Sequence, residues 1–209
     1  MEKSKEKGQC PCHEEKRERI RKAASGILAE VLSSPAEYAS LPRTENGKPY
    51  FPDGEVFFSL SHSGDLLGMA LSFSAPVGFD LQEIRPLKKT PSAIAARFFS
   101  ESEKELLAKA RDEAEKERLF FRLWAVKEAY AKWTGLGMKQ GFCSEVLLSQ
   151  GLVRSTLSSS LSVKEGDAVF RTDTAVFTEP SLCGEHFTCA VCAASLPQDL
   201  ILRVVPLLP

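Results

Sequence analysis

The chain has 209 residues, 43% of them hydrophobic and 26% charged, with a formal net charge of −1. This composition excludes a disordered chain, and the near-neutral balance lacks the global basic field of a nucleic-acid binder. No apolar run approaches the roughly 20 residues needed to span a bilayer, and residues 1–21 carry Lys and Glu rather than the apolar core of a secretory signal, so a cytoplasmic protein with neither nucleic acid nor membrane as partner is expected.

The elements follow in chain order. A helix is predicted from about Glu14 to Leu32, where Ile20, Ala23, Ala24, Ile27, Leu28 and Val31 recur at helical spacing. Pro35 and Pro42 mark a connection, and Asn46-Gly47-Lys48-Pro49 is a turn signal. Val56–Leu60 and Leu66–Phe73 read as two strands around a Ser61–Asp65 bend, and Val77–Gln82 as a third. A short helix follows over Ser92–Phe98. Ser100 and Glu103 match a capping box opening the next helix, and a break near Asp112 precedes a long helix over about Glu115–Thr134. Leu119, Leu123, Val126, Tyr130 and Trp133 form its buried stripe, and Gly135 and Gly137 end it. Cys143–Leu148, Ala168–Phe177, Phe187–Ala194 and Ile201–Val205 are strand candidates, and Ser155–Ser162 is either a loop or an exposed strand. Helix-then-strand runs, twice over, predict an α+β protein in two halves, 1–76 and 77–209.

The six cysteines are expected as reduced thiols. Cys189 and Cys192 lie three apart on a predicted strand and so point to opposite faces, which argues against a shared metal and for small core side chains.

Three segments carry chemistry. On the third strand, Val77, Phe79 and Leu81 alternate with Gly78, Asp80 and Gln82, so Asp80 and Gln82 project side by side from the face opposite the apolar one. Such a pair can share a cation, or be a polar pair facing solvent. On the long helix Trp124, Glu128 and Lys132 stack at intervals of four. They border a cleft, or Glu128 and Lys132 form an ordinary helical ion pair. Lys127 reads as a solvated neighbour of that face, with reaching a phosphate as the lesser alternative. At the bend, Ser61, His62 and Ser63 beside Gly64 offer hydroxyls, an imidazole and turn amides, which together suit a phosphate; the alternative for His62 is a surface group. The glycines of a nucleophile elbow are absent around Ser61, which argues against a serine hydrolase.

In this order and spacing, Gly47-Lys48-Pro49, Ser61-His62-Ser63-Gly64, Gly78-Phe79-Asp80-Leu81-Gln82, Arg97-Phe98-Phe99-Ser100 and Trp124-Ala125-Val126-Lys127-Glu128-Ala129-Tyr130-Ala131-Lys132 resemble the Sfp-type 4′-phosphopantetheinyl transferases. The resemblance runs from Gly47 to Phe142 and resumes at Ala190–Ala194. It implies two pseudo-twofold α/β halves and a monomer that moves phosphopantetheine from coenzyme A to a serine of an apo acyl or peptidyl carrier protein. It also implies roles. Asp80 and Glu128 would hold Mg²⁺ against the coenzyme A pyrophosphate, with Gln82 offering an amide oxygen, and Lys132 would contact that pyrophosphate. Ser61 and His62 would bind a donor phosphate, Lys48 and Pro49 would lie against the adenosine end, and Arg17, Arg21 and Lys22 are candidates for the 3′-phosphate. Glu128 is the candidate base, with Glu103 as runner-up, although a helix cap explains Glu103 equally well. Many members carry Asp-x-Glu where this chain has Asp80-Leu81-Gln82. One negative charge is therefore missing from the cation site, and the competing expectation is a non-catalytic module that binds coenzyme A or a carrier.

Overall fold

The computed structural model describes residues 11–87, 90–135, 137, 168–171, 176–179 and 186–207. The architecture is α+β, with two antiparallel sheets set side by side and helices packed on each.

Helix α1 spans Pro11–Leu32. Its Ala24, Ile27 and Leu28 are buried and Ile20, Ala23 and Val31 flank them, as the helical spacing requires. This stripe packs on strands β1 (Phe57–Ser63) and β2 (Leu66–Ser72), against Phe58, Leu67, Met69 and Leu71. The first strand runs further than the sequence suggests. Ser61 and His62 lie within it, and the turn is confined to Gly64-Asp65, because Ser63 still pairs with Leu66. The last strand of the chain, β7 (Ile201–Pro206), returns to pair with β2 and completes a β1-β2-β7 sheet. A division at 76/77 thus cuts through the first sheet.

The second sheet runs β3-β6-β5-β4, with β3 at Gly78–Glu83, β4 at Ala168–Arg171, β5 at Val176–Glu179 and β6 at Phe187–Ala193. The single strand expected over Ala168–Phe177 is therefore a pair, β4 and β5. The expectations for Cys143–Leu148 and Ser155–Ser162 lie outside the described residues. On one face of the sheet, Val77, Phe79 and Leu81 pack with Cys189, Val191 and Ala193. On the other, Ala190 and Cys192 pack under Ala125, Val126 and Ala129 of a long helix. Cys189 and Cys192 are buried on opposite faces.

Helix α2 (Pro91–Phe98) is capped by Thr90, and α3 (Glu101–Ala108) by a full capping box of Ser100 and Glu103. Asp112 caps the long helix α4 (Glu113–Thr134), accepting from the Glu115 amide at 2.7 Å, and Gly135 ends it in the left-handed region at φ 71°. The buried surface of α4 is wider than the predicted stripe. Phe120, Phe121, Ala125, Ala129 and Ala131 are buried as well as Leu123 and Val126, because β3 and β6 cover one side and α2 and α3 another. Gly78 lets α4 lie this close: a Cβ there would run into the Ala129 carbonyl oxygen. Among the described residues no helix is long and apolar enough to cross a membrane.

Candidate active site at the seam of the two sheets

Strands β1 and β3 belong to different sheets and meet through side chains. Alternation points Ser59, Ser61 and Ser63 of β1 to one side. Ser59 Oγ accepts from the Phe79 amide at 2.9 Å, Ser61 Oγ donates to Asp80 Oδ1 at 2.7 Å, and Ser63 Oγ accepts from the Glu83 amide at 2.9 Å. Three hydroxyls two residues apart thus lace one sheet to the other and fix where Asp80 lies.

The Asp80 side chain projects, with Gln82, from the face of β3 opposite Phe79 and Leu81, as the alternation predicts. That face is not solvent, since α4 covers it, and Asp80 is only 2% exposed. Its carboxylate accepts three hydrogen bonds of 2.7 Å. Ser61 Oγ and Lys132 Nζ reach Oδ1, and Gln82 Nε2 reaches Oδ2. Lys132 stands in the last turn of α4 and pairs across the seam with Asp80. Glu128 stands one turn earlier. Its carboxyl is pushed up to about 7, first by burial and then by the negative charge of Asp80, with Lys132 opposing.

His62 follows Ser61 on β1. Partial desolvation lowers its pKa, the positive charges of Lys16 and Lys132 lower it further, and Asp80 works against them. Its neutral form is thus favoured beside the positive charges of Lys16 and Lys132, a setting that an anion would complete. Lys16, on α1, reaches the Gly64 carbonyl at 3.4 Å. It is the basic residue of α1 that the structure brings to His62, and the sequence reading missed it. The nominated ones lie elsewhere. Arg21 pairs with Glu14 and Glu18, Arg17 lies 3.9 Å from Glu14, and Lys22 lines a separate groove between α1 and β7. Lys16 precedes Ile20 by one turn and so flanks the core-facing side, but Arg17 flanks its other edge equally, so helical spacing alone does not single out Lys16.

Lys48 bridges the halves of the chain. Its Nζ donates to the Lys132 carbonyl at 2.6 Å and reaches the Val77 carbonyl at 3.4 Å. Nearby, Asn46 Nδ2 donates to the Gly135 carbonyl at 2.7 Å. The Asn46–Lys48 turn therefore satisfies carbonyls at the C-terminal end of α4, where a cation is also favoured by the helix dipole. Burial and the Lys132 charge lower the Lys48 pKa to about 8, with Cys192 acting the other way. Tyr38, Arg43, Lys48, Pro49, Glu128 and Lys132 line a cleft of about 290 Å³ at this point.

One expectation changes at the other side of α4. Lys127, read as a solvated neighbour, is 1% exposed, with Nζ 3.0 Å from Glu103 Oε2 and 5.7 Å above the Phe99 ring. The flank it occupies is interior because α2 and α3 pack there. Glu103 Oε2 also accepts from the Ser100 amide at 2.8 Å, and its buried Oε1 has no hydrogen-bond partner among the described residues. Glu103 does not line the cleft, and its observed contacts are those of a cap and an ion pair. Trp124 packs against Phe98 and Phe120 at 5.6 and 5.7 Å, so the upper end of the Trp124-Glu128-Lys132 face is anchored in aromatic core.

Among the described residues no cluster of three or more His, Cys, Asp or Glu side chains converges as a preformed metal site. The seam offers two carboxylates and one amide, and the charge of Asp80 raises the pKa of Glu128. A hard cation suits that oxygen set, and the repulsion between the two acids is what such a cation would relieve.

The family model of the 4′-phosphopantetheinyl transferase superfamily matches residues 76–192. The 4′-phosphopantetheinyl transferase psf-1 of Bacillus pumilus is 41% identical over 120 residues, which is 56% of this chain and 49% of that protein. Sfp of Bacillus subtilis is 40% identical over 96 residues, 45% of this chain and 40% of its own length. AcpT of Salmonella typhi is 36% identical over 146 residues, 68% of this chain and 70% of the relative. The chain spans about half the length of the Bacillus relatives it matches. With the family model covering more than half of the sequence, and the AcpT match most of both chains, this chain belongs to the 4′-phosphopantetheinyl transferase superfamily.

Proposed function

We propose that this chain is a 4′-phosphopantetheinyl transferase that moves the 4′-phosphopantetheine group of coenzyme A to a serine hydroxyl of an apo acyl or peptidyl carrier protein and releases 3′,5′-ADP. The observation that carries this reading is the pairing of Asp80 with Lys132 across the seam, with Glu128 one turn away and its carboxyl raised to about 7. An acid pair beside a lysine, at a cleft lined by Glu128, Lys132, Lys48 and Pro49, supplies the opposite charges that a pyrophosphate and its counter-cation require. We read the two sheets, each with a helix packed on it, as the pseudo-twofold halves 1–76 and 77–209 of the fold, the second lending β7 to the first.

Asp80 and Glu128, with the Gln82 amide oxygen, would hold Mg²⁺, which when bound neutralises charge on the pyrophosphate and polarises it. Lys132 carries a positive charge to the same phosphates. Ser61 keeps Asp80 in place, and His62 with Lys16 receives a further phosphate of the donor. In the transfer the acceptor serine oxygen forms a bond to the β-phosphorus of coenzyme A, the one next to pantetheine, and the pyrophosphate P–O bond breaks. The hydroxyl proton would pass through a bound water to Glu128, and the leaving phosphate departs as 3′,5′-ADP. Positioning and charge neutralisation supply most of the effect, as in other phosphoryl transfers.

The test is intact mass of an apo carrier protein after incubation with this chain, coenzyme A and Mg²⁺. A gain of one phosphopantetheine is expected. Binding of coenzyme A with no gain on fatty-acid, polyketide or peptide-synthetase carriers would leave the non-catalytic binding module standing instead.

A further inference from the structure

The acid proposed to hold the cation is already satisfied without one. Both accessible positions on Asp80 Oδ1 are taken, by the Ser61 hydroxyl and by the Lys132 ammonium, and Gln82 points its amide N–H₂ at Oδ2. An ionised carboxylate has about four acceptor positions, so three of them are in use. The Gln82 amide faces Asp80 through its nitrogen, as it must, since an amide oxygen there would face another acceptor. The lone oxygen it could give to a cation is turned away. Lys132 adds a positive charge 2.7 Å from Oδ1, where it repels any second cation approaching the same carboxylate.

We propose that Lys132 is a built-in counter-ion that closes the Asp80 site to divalent cations until a phosphate-bearing donor draws it away, so that metal and donor bind as a coupled pair. The inference rests on the function proposed above. Lys132 is placed for the exchange. Its side chain is 28% exposed, whereas Asp80 is sealed, and it lines the cleft as well as the ion pair. A pyrophosphate in that cleft offers it anionic oxygens in place of Asp80. Departure of Lys132 frees an Oδ1 position, and rotation of the Gln82 amide exposes its oxygen. A glutamate at position 82 could not donate to Asp80, so Gln82 takes part in the closure and is more than a weakened ligand.

Coupling between two ligands is reciprocal: the factor by which coenzyme A tightens metal binding equals the factor by which metal tightens coenzyme A binding. Mn²⁺ titration followed by electron paramagnetic resonance measures the first factor, and calorimetric titration of coenzyme A with and without Mn²⁺ measures the second. In the wild-type protein both factors are expected to be about tenfold or greater. Lys132→Met is expected to bind Mn²⁺ alone at least about tenfold more tightly than wild type and to show a smaller coupling factor, since a positive charge next to the site is gone. Lys132→Gln keeps a donor for Asp80 while losing the charge, and moves the same way if the methionine variant fails to fold. Wild-type binding of Mn²⁺ in the presence of coenzyme A, together with variants that bind Mn²⁺ alone no better than wild type, overturns the closure and leaves the transferase reading intact. Absence of Mn²⁺ binding by the wild type with coenzyme A present, and by both variants, overturns the metal site itself and the inference with it.

Discussion

Lys127 Nζ lies 3.0 Å from Glu103 Oε2, and both side chains are sealed from solvent where α2, α3 and α4 pack together. Taking one partner away leaves a buried charge with no counter-ion, which typically costs about 3–5 kcal/mol. Lys127→Met should therefore lower the melting temperature by ~10 °C, at about 2–4 °C per kcal/mol for a chain of this size. The double variant Lys127→Met, Glu103→Leu should recover most of the loss of charge balance, though not the Glu103 cap. Thermal melts of the two variants check this, and a single variant as stable as wild type would show the pair to be unimportant.

The same pair bears on catalysis. Glu103→Gln keeps a side chain able to cap Ser100 and removes the negative charge. If Glu103 acts only through its cap and ion pair, transfer measured well below the variant's melting temperature should persist within ~10-fold of wild type, whereas loss of a general base costs on the order of 10²–10⁴. A loss of the latter size with the fold intact would return Glu103 to the role of base.

Asp80→Asn and Glu128→Ala address the seam directly. Each removes a carboxylate proposed to hold Mg²⁺, and each should reduce transfer by at least ~10²-fold. Asp80→Asn keeps the shape of the side chain and an acceptor for Ser61, so near-native circular dichroism is expected alongside the lost activity. Normal turnover by either variant would remove the assigned site.

The elements of this fold were legible where a local physical signal was complete. The apolar spacing in α1, the Ser100-Glu103 capping box and the Asp112 break all appear as the sequence predicts. The alternation in β3 correctly sets Asp80 and Gln82 on one face. What it could not say is that α4 would roof that face, since roofing depends on Gly78 accepting the Ala129 carbonyl at close range. Lys127 was misread for a related reason: helical spacing gives the angle of a side chain about its own axis, and whether α2 and α3 fill that angle is a tertiary fact. The Ser59-Ser61-Ser63 lacing has a readable period of two, but its partners are 19 or 20 residues on in a different sheet.

Gly78→Ala tests the roofing. A methyl group there has no room beneath the Ala129 carbonyl, and backbone on both sides must yield. Overpacking of this kind costs about 1–3 kcal/mol. Because the displaced helix carries Glu128 and Lys132 while the displaced strand carries Asp80, coenzyme A binding should weaken along with the melting temperature. A variant that loses stability with unchanged coenzyme A affinity would separate the helix–strand contact from the site.

The raised pKa of Glu128 has a stability consequence whose sign can be worked out. The folded metal-free protein holds the Glu128 proton up to about 7, whereas the unfolded chain releases it near 4.5. Between those values the folded state binds more protons, so this group's contribution falls as pH rises from 4.5 to 7 and is lowest above 7. Glu128→Gln removes the charge without removing the bulk. At pH 8 and without metal it should be more stable than wild type by ~1 kcal/mol, a value kept small because the group is partly exposed to screening solvent. That corresponds to a gain of ~3 °C in melting temperature. The advantage should shrink through the window and vanish below about pH 4.5, where the wild-type carboxyl is protonated in both states. Added Mg²⁺ with coenzyme A should narrow the gap at pH 8, because it stabilises only the chain that still has the carboxylate. Melting curves of the two proteins from pH 4 to 8 decide the matter: a gap that is constant across the range would place Glu128 away from the influence of Asp80 and of burial.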